Sequence, residues 1–441
     1  MGNILFEDHS ARRFRPLSAS VPTFEIRCGL FNTRERLELI DPEQGGLLLC
    51  RAELLALNTS PIWSDQGEVP SGRTLWLNGR LSPDADLVAR LHQQRADDWA
   101  VVDEVGLLAA SLSPELTSLA LDSWRSWLGS TGPWIVPAEI RSLPQPKVIK
   151  VAELGWIWDI VGATSAAIKN DLALVGGGVL HTRHPFGVFS EESPLWSQNQ
   201  SLRLVPNDAP PVGVEVLGAG GVYLGSGGVK IAAGVQLDTT DGPIVLDSGV
   251  RVMAHSYLAG PLYIGRESLV KPGARIFGES SFGVGCRLAG EIGESTFGDF
   301  TNKQHEGFIG HAVLGSWVNL GAMTTCSDLK NNYGEVRIDL GDGEVATGQR
   351  FIGLMLGDHV KTAIGTLFNT GTVVGFASNI FGANMPPKSV PSFSWGGAAD
   401  GSVYDLQRAA GTAETVLGRR NCRWTDGHQQ IFDFLHTSSA G

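Results

Sequence analysis

The side chains able to do chemistry are few in this chain and widely spaced. His305 and His311 stand six residues apart, and His255 and His359 lie on either side of them. An imidazole exchanges protons near neutral pH, so each is a candidate base or metal ligand. On spacing alone, His305 reads equally well as a residue filling a structural corner. The five cysteines (Cys28, Cys50, Cys286, Cys326, Cys422) are odd in number and never in CxxC spacing. That pattern speaks for a reducing compartment and against a thiolate zinc site. Asp159, in Trp156-Ile-Trp-Asp, is a single carboxylate candidate for a cation, and one carboxylate alone makes a poor magnesium site. Asn332 and Tyr333 fall in Asn-Asn-Tyr-Gly, which suits a loop apex.

What must position these residues is a repeat. Leu246, Val252, Leu258, Ile264, Val270, Ile276, Phe282 and Leu288 follow one another at every sixth place. Neither a helix nor a flat strand has that period. A hexapeptide beat marks a parallel β-helix, in which three short strands make one triangular coil and coils stack. The beat stutters at Ile309–Leu314, breaks over Cys326–Arg350 and resumes at Leu356, Thr362, Phe368, Val374 and Ile380. The break predicts an insertion projecting from one face. Two helical stretches follow, Ser402–Arg420 and His428–His436, suited to capping the last coil or packing on a neighbour.

The first part of the chain reads differently. Strands are predicted at Asn3–Phe6, Leu47–Cys50, Thr74–Leu77 and Trp99–Val102, with helices at Ala85–Arg95 and Pro114–Leu128. A connector is expected at Pro133–Pro146 and a boundary at Pro206–Pro211. The expected organisation is an α/β, Rossmann-like domain at 1–205, a parallel β-helix at 213–395 and a helical tail at 396–441. The net charge of −12 excludes nucleic acid as a main partner. No stretch of eighteen apolar residues is present, so no membrane span is expected, and the N-terminus does not read as a signal peptide. A soluble, cytoplasmic protein is expected.

Three segments carry a family resemblance: Thr301-Asn-Lys-Gln-His-Glu-Gly-Phe-Ile-Gly310, Leu314-Gly-Ser-Trp-Val-Asn-Leu-Gly-Ala322 and Lys330-Asn-Asn-Tyr-Gly334. They are similar to the acetyltransferase half of bacterial GlmU, a bifunctional enzyme. With Arg13-Phe-Arg-Pro-Leu-Ser18 and Glu25-Ile-Arg-Cys-Gly29, the whole chain resembles the alternative GlmU-like family of sugar nucleotidyltransferases. The resemblance implies a left-handed β-helix, a homotrimer, and acetyl-CoA as acyl donor to an aminosugar-1-phosphate. It places His305 as the base that deprotonates the attacking amine, Asn332 and Tyr333 against the sugar, and Lys271 on its phosphate. Glu291 and Glu294 replace a lysine pair of that family, leaving Lys303 to compensate their charge. Other β-helix trimers, the carbonic anhydrases, hold zinc between subunits on three histidines, but the flanks of His305 favour acyl transfer.

For the front domain the resemblance implies binding of a nucleoside triphosphate with Mg²⁺. Arg13, Arg15, Arg27 and Gly79 are its candidate nucleotide contacts, and Asp159 its candidate metal ligand. The chain departs from the family at Asp8-His-Ser-Ala-Arg12, which replaces a glycine-rich loop. It departs again at Thr23, in place of a lysine, and at Arg80, in place of a metal-binding aspartate. Three readings therefore stay open. One is an acetyltransferase and nucleotidyltransferase giving a UDP- or dTDP-sugar. The second is a nucleotidyltransferase with the β-helix as trimer scaffold, and the third a binding or assembly protein that has lost its chemistry.

Overall fold

The structure, a computed structural model, describes residues 2–439 except 42–44, 56, 58–61, 65–69, 83, 129, 131, 147–152, 176–178, 181–187, 190–199, 206–209 and 398–400. Most of the expected boundary at Pro206–Pro211 lies outside them. The front of the chain forms one six-stranded sheet from β1 (Gly2–Phe6), β2 (Gly46–Leu49), β3 (Trp63–Ser64), β4 (Thr74–Asn78), β5 (Trp99–Val102) and β6 (Leu107–Leu112). Its order is β3-β2-β1-β4-β6-β5, parallel except for β6, which runs antiparallel to β4 and β5. Chain order reverses at β1, between β2 and β4. In open α/β sheets ligands bind outside the carboxyl ends of the strands at such a point.

Helices α1 (Thr33–Ile40), α2 (Ala52–Leu55), α3 (Ala85–Gln93), α4 (Pro114–Leu128), α5 (Ala138–Arg141) and α6 (Asp159–Val175) accompany the sheet. Asn32 caps α1 with a complete capping box to Glu35, which satisfies backbone N–H groups that a helix start leaves open. Sequence analysis located β1, β2, β4, β5, α3 and α4; it passed over α1, β6 and α6.

From Glu215 to Trp395 the chain is a parallel β-helix with three flat sides. The first side begins with Glu215–Leu217, the second with Val222–Gly225 and the third with Lys230–Ile231. On the second side Ile244 pairs with Leu262 and Leu262 with Ser280, eighteen positions each, or three hexapeptides per coil. All eight residues of the sixfold beat point inward and are buried. The next coil is shorter: Ser281 pairs with Thr296, and Leu288 with Lys303. On the second side Thr296 then pairs with Val313, and the coil after that is far longer, because Val313 pairs with Met355. Its extra residues form the expected insertion, which carries a hairpin of Arg337–Asp339 and Glu344–Ala346.

Corners are not glycine's alone. His255, Glu267, Phe300, Trp317 and His359 all adopt left-handed φ, between 55° and 62°, a conformation disfavoured for side chains bearing a Cβ. Stacking offsets some of that cost, with Phe300 and Trp317 rings parallel at 4.2 Å.

The front domain lies on the second side. That side's outward residues, Val245, Tyr263, Val313, Met355 and Val373, are buried against α6, the Phe14–Ile26 segment and the hairpin. Polar contacts fix the register of the join: Ser281 Oγ donates to the Gly29 carbonyl at 2.6 Å, and Ser20 Oγ to Asp358 at 2.7 Å. The tail helices α7 (Leu406–Gly418) and α8 (Asp426–Ser439) pack Ala409, Ile431 and Phe432 against Leu54, Leu57 and Phe376. They tie coils to front domain.

Asp358 also accepts from the Ser316 N–H, and burial pushes its carboxyl up to about 6. The folded protein therefore holds a proton there that the unfolded chain releases near pH 4, and stability falls as pH rises from 4 to 6. Asp358→Asn removes the buried charge, while the amide Oδ1 accepts from the Ser316 N–H and its Nδ2 donates to Ser20 Oγ. It is expected to stabilise the protein above pH 6 by on the order of 2 kcal/mol and to flatten the pH 4–6 slope, measured by urea unfolding.

Candidate functional site

At the carboxyl ends of β1 and β4 the turns carry Glu7-Asp8-His9 and Gly79-Arg80. Asp8 caps a 3₁₀ turn over His9–Phe14 and accepts from Asn78 Nδ2 at 2.9 Å. Glu7 is buried and takes the guanidinium of Arg51 at 2.8 Å. His9 accepts the Trp134 N–H on Nδ1, and burial lowers its pKa, with Arg13, Arg12 and Arg80 adding to the effect against Asp8. Arg80 is buried between Asp103 and Glu153, 2.7 Å from each.

That guanidinium fills the space between the two carboxylates. Asp159 is committed as well: its Oδ2 accepts the N–H groups of Gly155 and Trp156 at 2.8 Å, closing the turn that starts α6. No group of three metal-ligating side chains occurs among the described residues. These donors do not fit a resident divalent ion, which corrects the expectation for Asp159.

The expected nucleotide contacts also separate. Arg13 lies 4.5 Å over the Trp156 ring, near His9, and Arg15 reaches Asp342 of the insertion at 3.3 Å. Arg27 is buried at the join, donating to the Leu30 carbonyl and facing Asp299 at 3.9 Å, so it anchors the domain on the coils. Gly79 is a packing residue: a Cβ there would stand 2.7 Å from the Phe24 backbone nitrogen. Of the four, Arg13 is the one placed beside His9 at the strand ends. His9 and Asp8, which the sequence reading noted only as a lost glycine loop, are nearer to that place.

On the β-helix, His305 is exposed at the edge between third and first sides, and its ring makes no hydrogen bond among the described residues. Lys271 lies on the same edge. Strand register sets Val270 beside Leu288 and Leu288 beside Lys303, which puts Lys271 two coils from the His305 corner, about 10 Å.

Lys303 is not a surface cation. It occupies the inward place that Val270 and Leu288 hold in the coils before it, and it is 1% exposed. Its ammonium donates to the carbonyls of Ala289, at 3.2 Å, and of His305. It therefore clamps the corner that presents His305 and does not balance Glu291, whose partner is Arg275.

Asn332 and Tyr333 lie at another edge, between first and second sides, at the start of the insertion. Tyr333 is 68% exposed and Asn332 Oδ1 caps the Gly334 N–H. Asn332, Lys330, Phe368, Asn369, Met385 and Lys388 line a cavity of about 540 Å³. One flat side thus separates them from His305 within one chain. At the same edge His311 places Nδ1 2.8 Å from Asp328, with Glu294 at 4.0 Å. Burial raises the Glu294 pKa, which His311 lowers and Asp328 raises. Each of these three lies seventeen residues from the next, about one coil, and that spacing is the signal that could have found them.

Sheet order, the strand-end turns and the stacked coils define a class: an α/β nucleotidyltransferase-type domain joined to a parallel β-helix. Residues 3–178 match the model of the sugar nucleotidyl transferase family. Two curated relatives bear on the chain. One is a bifunctional sugar-1-phosphate nucleotidylyltransferase/acetyltransferase of Sulfurisphaera tokodaii, 28% identical over 21% of this chain and 23% of that protein. The other is the bifunctional protein GlmU of Gloeobacter violaceus, 36% identical over 26% of this chain and 24% of that protein. The chain thus spans about a quarter of the length of each.

Burial lowers the Lys303 ammonium to about 8. The unfolded chain then binds more protons between pH 8 and about 10, so stability rises with pH across that window. Lys303→Met should remove on the order of 2 kcal/mol of that rise, leaving the part due to Lys361, also lowered to about 8 by burial. Urea unfolding at pH 7.5 and 10 reads the difference.

Proposed function

We propose that the protein is a sugar-phosphate transferase of the GlmU type, with two chemistries on two parts of one chain. The observation that carries the acyl-transfer half is His305: an imidazole exposed at a solenoid edge, its backbone clamped by an ammonium drawn from the interior. In this reading an aminosugar-1-phosphate attacks the thioester of acetyl-CoA. The nitrogen lone pair forms the new C–N bond, the thiolate leaves, and His305 Nδ1 or Nε2 takes the ammonium proton. Lys271 meets the sugar phosphate as a point charge.

Asn332 and Tyr333 reach the same sugar only from another copy, so a homotrimer with sites between neighbouring chains belongs to the proposal. Met253, Met323 and Ile364, exposed along the His305 edge, are apolar surface for such a contact. The cavity beside Asn332, with Lys330 and Lys388 on its wall, has room for the pantetheine arm.

The front domain couples a sugar-1-phosphate to a nucleoside triphosphate. The triphosphate would lie at the carboxyl ends of β1 and β4, against Arg13 and His9. The domain limits stay as proposed, with the front unit ending near 205 and the tail beginning near 396.

His305→Ala decides the assignment. Acetylation of glucosamine-1-phosphate by acetyl-CoA should fall about 10²- to 10⁴-fold, while UTP- or dTTP-dependent product formation by the same preparation persists. Acetylation that survives the change refutes the role of His305.

A further inference from the structure

Among the described residues, the outward column of the third side carries positive charge with no carboxylate in ion-pair contact. Strand register stacks Lys230, Arg251, Leu269, Arg287 and Asn302, and the column continues through Asn319 to Lys361. The tail returns over it. Arg420, just past α7, sets Nη2 2.9 Å from Asn302 Oδ1, with its guanidinium 6.0 Å above the Phe300 ring. Arg287 is the strand partner of Asn302, so two guanidinium groups stand about one strand spacing apart. Arg251 follows two strands away, about 10 Å.

Arg287 is held in place. Its Nη1 donates to the carbonyls of Glu267, Gly285 and Cys286, each at 3.0 Å. Among the described residues no carboxylate lies within 4.0 Å of Arg251, Arg287 or Arg420. The nearest acid along the column is Glu267, at its margin. Burial brings Arg287 down to about 10, and Arg420 and Arg251 add to the shift. Burial lowers Arg420 too, and Arg419 adds to it. Such crowding of cations opposes folding, and in a chain of net charge −12 solubility does not require it. A bound anion offsets the repulsion.

We propose that Arg251, Arg287 and Arg420, with Asn302, form a binding site for an anion bearing two or more phosphoryl groups. Guanidinium forks match phosphoryl oxygens in pairs, and cations about 5 to 10 Å apart suit a diphosphate better than one phosphate. The anion would bridge tail and coils. Two sources share this chemistry. One is the phosphates of coenzyme A, which rests on the acyl-transfer reading above. The other is free diphosphate, which does not.

Calorimetric titration of the full chain with pyrophosphate, orthophosphate and coenzyme A, at 50 and 200 mM salt, tests it. Pyrophosphate should bind more tightly than orthophosphate and weaken with salt. Its affinity should fall at least tenfold in the Arg287→Gln, Arg420→Gln double variant and severalfold in Arg251→Gln. If coenzyme A weakens in parallel and the KM for acetyl-CoA rises with kcat unchanged, coenzyme A is the source. If only pyrophosphate weakens, the source is free diphosphate. The Arg251 side chain is exposed and makes no hydrogen bond or ion pair among the described residues, so its variant stands even if the double variant does not fold. Unchanged affinities in Arg251→Gln, or no anion bound by the native chain, overturn the site, and neither result bears on His305.

Discussion

Burial of the β-helix's second side from both directions is the constraint on which the architecture depends. Ile244 and Leu246 point into the prism and Val245 points out, yet all three are buried. A solenoid side whose outward residues are valine, tyrosine and methionine exposes a large apolar strip unless something covers it. Helix α6 and the hairpin supply the cover, and α7 and α8 fill the notch between α2 and the later coils. The price is a set of buried charges: Arg36 pairs with Asp171 at 2.7 Å and Arg27 faces Asp299, while Asp358 is held by hydrogen bonds from Ser20 and Ser316. With the second side occupied, the coils leave to solvent the first side, the edges bearing His305 and Tyr333, and part of the cationic third side.

Much of this was legible because a β-helix writes itself locally. Each sixth residue is interior, so eight apolar residues in step sufficed to place the coils. Even the two-sided burial is written in Pro-Ile-Val-Leu and Pro-Leu-Tyr-Ile, runs without the polar alternation of a half-exposed strand. The reading failed where the beat slipped. Between Leu288 and Lys303 the coil loses three residues, so counting by six no longer says which side chains face inward. The resemblance sets Lys303 against the charge of Glu291 and Glu294, whereas the strand register makes it an interior residue.

The front domain was less legible for a different reason. Resemblance along a sequence gives position in the chain but not the direction in which a side chain points. Arg15 and Arg27 sit where a nucleotide loop is expected, yet the first turns to the insertion and the second to the coils. Asp159 read as an isolated carboxylate, but the four residues before it form a turn, and it satisfies the N–H groups of Gly155 and Trp156 at the start of α6. That helix was itself missed because its buried residues, Ile160, Val161, Thr164, Ile168 and Asp171, face both the front domain and the coils. Such a helix lacks the one-sided stripe by which surface helices are recognised.

The position of Lys303 connects these points to chemistry. An ammonium inside an apolar prism costs far more than the leucine or valine of neighbouring coils, and two carbonyl partners offset only part of that cost. Stability alone would favour an apolar residue there, as in the coils before it. What the lysine adds is a fixed corner: it reaches from within to hold the carbonyl of His305 while leaving the imidazole free. A prism has three edges, and residues on different edges of one chain cannot meet, whatever rotamers they adopt. His305 on one edge and Asn332 with Tyr333 on another can act together only when a second prism lies alongside. In the proposed trimer, a corner stiffened from inside would keep its imidazole in register through such docking, where a loose glycine corner would not.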